Sequence, residues 1–80
     1  MLKVVMNQKN LEKAMLRHNL NQTDLAKVLG LSRSHFSRVV HGQFEPSAAI
    51  RQQLLDYFKG MKFDDLFTIE EHSDDERTRV

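Results

Sequence analysis

Between Asn21 and Gly42 the chain spells out two short helices with their boundaries marked residue by residue, and this segment constrains the fold more than any other. Asn21 is a good helix N-cap, with Asp24 at the capping-box position, one methylene shorter than the preferred Glu. Leu25, Ala26 and Leu29 then trace a buried face that runs until Gly30. Ser32 caps again, Phe36, Val39 and Val40 supply the next apolar stripe, and Gly42 follows as a stop. Two capped helices joined by a turn that contains Gly form a compact pair with one shared apolar side.

The flanking sequence extends the helical pattern. Leu11, Ala14, Met15 and His18 fall at helical spacing behind a cap at Asn7, so a helix is predicted over residues 8–18, stopped by Asn19, which tolerates the left-handed region. Gln43 to Glu45 form a loop closed by Pro46. Ser47 then caps a fourth helix carrying Ile50, Leu54, Leu55 and Phe58, and Gly60 ends it. Phe63, Leu66 and Phe67 around Asp64 and Asp65 add one further helical turn that plugs the core. Two β-favouring pieces, Leu2 to Met6 and Phe67 to Ile69, can pair as a small terminal ribbon only if the helical core supports them; extended coil is the favoured alternative. The fold class is therefore all-α, with four to five helices in one domain over residues 1–69.

Eighty residues support one core and a tail. The net charge of +1 conceals an asymmetry. Residues 1–62 hold ten Lys and Arg against four acids, whereas residues 63–80 hold seven acids against Arg77 and Arg79. The basic part suits a polyanionic partner. From Glu70 onward seven of eleven residues are charged and only Val80 is apolar, so residues 70–80 are expected to be a disordered acidic tail. No cysteine is present, which leaves no disulfide framework and no thiolate metal site and fits a reducing compartment. Met1 to Met6 is too short for a signal-peptide core, and no run approaches the roughly 20 apolar residues of a membrane span.

The third helix carries the functional signal. At about 100° per residue, Arg33, Ser37, His41, Ser34 and Arg38 occupy one continuous arc of about 140°, opposite Phe36, Val39 and Val40. Arg can donate two hydrogen bonds to O6 and N7 of a guanine, serines can bond base edges or phosphates, and short residues between them let a helix sit deep in a major groove. Residues 33–41 contain no acid to repel phosphates. The N-termini of the second and third helices add outward-facing amides and the positive end of a dipole, with Gln22 and Thr23 at the first of them.

Taken together, LNQTDLAKVLGLSRSHFSRVVHG, Leu20 to Gly42, resembles the helix-turn-helix of the Cro and phage-repressor (Xre-like) family of DNA-binding transcriptional regulators. The resemblance covers about residues 8–67. Asn21, Gln22, Leu25, Ala26, Gly30, Ser32, Phe36 and Gly42 match its pattern, and Pro46-Ser47 and Phe63-Asp64-Asp65-Leu66-Phe67 look like its fourth and fifth helices. It implies a lambda-repressor-like domain in which Arg33, Ser34, Ser37 and Arg38 read bases. Gln22, Thr23 and Gln43 would position phosphates, with Gln22 also bracing the start of the third helix, and His35 and His41 would be marginal contacts. It further implies a cytoplasmic, bacterial or phage-encoded repressor that binds a palindromic operator on double-stranded DNA as a homodimer. Phe63, Phe67 and Ile69 are candidates for the dimer contact, with core filling their more ordinary role. The chain departs from the family at one pair of positions. Met15 and Val40 stand where many members carry an Arg–Glu ion pair, a replacement compatible with the fold because packed hydrophobes often serve as well as a buried pair.

Other chemistries find less support. His18, His35, His41 and His72 have no paired ligand spacing, so no metal is expected. Ser, His and Asp are present, but short helices around one core seldom supply the shaped pocket of a hydrolase, and the chain is read as non-enzymatic. No Gly-rich phosphate loop or methionine groove points to a cofactor. The competing reading is a protein-interaction module of the same fold, such as the antitoxin of a toxin–antitoxin pair, with the acidic tail Glu70 to Glu76 folding onto a protein partner.

Overall fold

Helix boundaries in this protein are set locally, by side chains that satisfy the backbone groups a helix leaves open at its ends. A computed structural model describes residues 1–71, in the order β1 (Leu2–Met6), α1 (Gln8–Arg17), α2 (Gln22–Leu29), α3 (Arg33–Val40), α4 (Ala48–Tyr57), α5 (Phe63–Leu66) and β2 (Phe67–Glu71). The four expected caps all form. The side chains of Asn7, Asn21, Ser32 and Ser47 accept from the amides of Asn10, Asp24, His35 and Ile50 at 3.1, 2.8, 3.1 and 3.2 Å. Asp24 returns no bond to the Asn21 amide, consistent with its being one methylene short. At the short α5 the reach-back does occur, with the Lys62 amide donating to the Asp65 carboxylate at 2.8 Å.

The first three helices end in one way. Asn19, Gly30 and Gly42 adopt φ of 56, 73 and 82°. In each case the next residue's amide reaches back five residues, Leu20 to Met15, Leu31 to Ala26 and Gln43 to Arg38, at 2.8–2.9 Å. The left-handed residue itself donates to the carbonyl three residues earlier, at 3.1–3.2 Å. These paired bonds are Schellman motifs, and they reverse the chain within two residues.

The helices close around one cluster. Leu11, Ala14 and Met15 of α1, Leu25, Ala26 and Leu29 of α2, Phe36, Val39 and Val40 of α3, and Leu54 of α4 are buried together with Phe58, Leu66, Phe67 and Met6. Ile50, Leu55 and Phe63 are only partly buried at its margin. His18, expected on the inward face of α1, is instead the exposed C-cap residue, where its ring packs on Phe58 and Tyr57 at 5.1 and 6.0 Å between centroids. Among the described residues no helix is long and apolar enough to cross a membrane.

The terminal pieces pair, contrary to the favoured expectation of coil. β1 and β2 form an antiparallel ribbon with Val4 opposite Ile69 and Met6 opposite Phe67. The ribbon holds because its Met6–Phe67 end is planted in the core and the Asn7 amide extends the ladder to the Leu66 carbonyl at 2.7 Å. Its outer edge is also engaged. The Val4 amide donates to the Glu45 carboxylate at 2.9 Å, and Lys3 Nζ donates to the Gly42 carbonyl at 3.3 Å. β2 takes in Glu70 and Glu71, which the sequence reading assigned to the acidic tail; the remainder of that tail, residues 72–80, lies outside the described residues.

Candidate nucleic-acid interface

The orientation of α3 follows from what it buries. Phe36, Val39 and Val40 are 0–4% exposed, and they face the core that also takes Leu25, Ala26 and Leu29 from α2. With that side fixed, the other side must face water. Arg33, Ser34, Arg38 and His41 are exposed and Ser37 is half-buried. A surface depression is lined by Arg33, Ser34, Ser37, Arg38 and Gln43. All four residues read as base contacts therefore meet on one surface, and Gln43 joins them because the Gly42 turn bends the chain back over the end of α3.

Residues 11–66, which span α2, α3 and the turn between them, match the helix-turn-helix family model. The chain belongs to the helix-turn-helix family. Over 54 residues, this helix-turn-helix protein is 41% identical to an uncharacterised HTH-type transcriptional regulator of Methanocaldococcus jannaschii, a match covering 68% of this chain and 80% of the relative. No solved structure matches it.

The remaining site residues of the helix-turn-helix stand apart from the depression. Gln22, half-buried, and Thr23, exposed, open α2. Asn21 caps the Asp24 amide, so the two amides before it keep no helical partner and face outward. Asp24 sits in the same turn, where its charge favours the helix dipole and opposes an incoming phosphate. Gln22 makes no hydrogen bond to α3 among the described residues. His41 folds back along α3, its Nδ1 at 2.7 Å from the Ser37 carbonyl and 3.4 Å from the Ser37 hydroxyl. The short contact requires a proton on Nδ1, because the carbonyl can only accept.

His35 lies on the flank of α3, against a residue that the sequence reading did not single out. Phe44 is 40% exposed, with its ring centroid 5.3 Å from that of His35 and 5.7 Å from the guanidinium carbon of Arg38. The available signal was an aromatic residue two places beyond the closing Gly42, in a loop otherwise polar. Its partnership with Arg38 depends on the backbone reversal at Gly42, which residue spacing alone does not display.

Proposed function

We propose that this helix-turn-helix protein is a sequence-specific regulator of transcription that binds double-stranded DNA with α3 in the major groove and acts as a repressor. The observation that carries the reading is the convergence of Arg33, Ser34, Ser37, Arg38 and Gln43 on one acid-free surface whose opposite side is locked into the core. In the proposed division of labour, Arg33, Ser34, Ser37 and Arg38 read base edges. Gln22, Thr23 and Gln43 hold phosphates, while His35 and His41 border the contact. An eight-residue helix reads only a few base pairs, so a homodimer on a palindromic operator, with its half-sites about 34 to 36 Å apart, supplies the information a regulator needs.

Selection of bound sequences from a random duplex library tests the reading directly. A palindromic motif is expected, with affinity for it falling steeply as salt rises, because each phosphate neutralised releases counterions. Recovery of no motif, together with affinity indifferent to salt, would count against DNA reading by α3.

A further inference from the structure

Arg38 differs from Arg33 in having a platform. The Gly42 turn directs both the Gln43 and the Phe44 amides onto the Arg38 carbonyl, at 2.8 and 3.3 Å, so the loop is tied to the backbone of the residue whose side chain its aromatic ring meets. The Arg38 guanidinium carbon stands 5.7 Å from the Phe44 centroid, within cation–π range. His35, one turn of α3 from Arg38, packs against the same ring at 5.3 Å and limits its movement. Phe44 is 40% exposed, so the ring contributes little to the core and its position needs another explanation. A free Arg side chain samples many rotamers, and ordering it on binding costs affinity; a ring that already restrains it removes part of that cost and favours one direction of approach.

We propose that Phe44 is a positioning residue for recognition, holding Arg38 where its guanidinium meets O6 and N7 of one guanine; this rests on the reading of α3 as the DNA-reading helix. Phe44 acts through Arg38 and sets how strongly that single base is preferred. Leu at this position keeps the bulk and loses the ring face, whereas Trp keeps and strengthens it.

The test uses the full chain and the duplex recovered by selection, with every base substituted in turn at each position. Arg38→Ala identifies the position that Arg38 reads. Phe44→Leu is expected to lower the preference at that position about two- to fivefold while leaving preferences elsewhere unchanged. Phe44→Trp should retain it, and Phe44→Leu should add no further loss in an Arg38→Ala background. Without DNA, the Arg38 δ-methylene protons should carry an upfield ring-current shift in NMR spectra that vanishes in Phe44→Leu. The role is overturned by a Phe44→Leu variant with an intact base profile, by an equal loss on every duplex, or by the same loss with Arg38 already removed. A native chain without any base preference overturns the DNA reading and the role together, so failure of the reading is told apart from failure of Phe44 alone.

Discussion

Arg33 and Arg38 carry the same charge from two different surroundings. Arg33 opens α3 as an exposed residue and makes no hydrogen bond or ion pair among the described residues, whereas Arg38 rests on Phe44. Arg33→Ala is expected to cost on the order of 1 to 3 kcal/mol in binding and to relax preference at one operator position, as measured by competition among single-base variants. Gln22→Ala should instead weaken binding to every duplex alike, because a phosphate contact carries no base information. A changed consensus for Gln22→Ala would contradict that assignment. At this scale the polar arc of α3 was legible from spacing alone, since 100° per residue places Arg33, Ser34, Ser37 and Arg38 together on any regular helix. The stacking of Phe44 was not, because it arises in a loop without a period.

A helix of eight residues such as α3 does not persist alone, since so few backbone bonds do not repay its nucleation. Its ends are therefore as important as its faces. Ser32 satisfies the His35 amide, and replacing it by Ala should lower stability by about 1 kcal/mol in denaturant titration. Base preference should survive, because Phe36, Val39 and Val40 still fix the direction of the helix. At Gly30, φ is 73° and an added Cβ would meet nothing within 4 Å. The expected cost of Gly30→Ala, about 1 to 2 kcal/mol, is thus conformational rather than steric. Gly30→Asn should recover part of it, as Asn19 already does at the end of α1 with φ of 56°. These signals are local, a cap with its first turn or a stop with its last, and for that reason they could be read from the chain.

The third helix is held against the rest of the molecule by apolar residues rather than by a buried ion pair among the described residues. Met15 and Val40 are 8% and 4% exposed and belong to the same core cluster. Val40→Glu alone buries an uncompensated charge and should cost on the order of 3 to 5 kcal/mol, a large share of the roughly 5 to 15 kcal/mol that holds a domain together. Adding Met15→Arg should recover part of the loss, measured as a coupling energy in a double-mutant cycle by urea unfolding. Strict additivity would mean that the two positions do not meet in this core. Phe63, Phe67 and Ile69, the candidates for a dimer contact, occupy different surroundings. Phe67 is 1% exposed and Phe63 packs on it at 5.1 Å, whereas Ile69 is 55% exposed on the ribbon. Where the first four helices start, how the first three stop and which side of α3 faces water all follow from the chain locally, because caps, left-handed stops and helical periodicity act within a turn or two. Closure of the core, by contrast, is what pairs Leu2 to Met6 with a strand more than sixty residues away. That pairing depends on the Met6–Phe67 anchor, which exists only once the core has closed, whereas the reversal after Gly42 is local and leaves only the resting place of the Phe44 ring to side-chain packing.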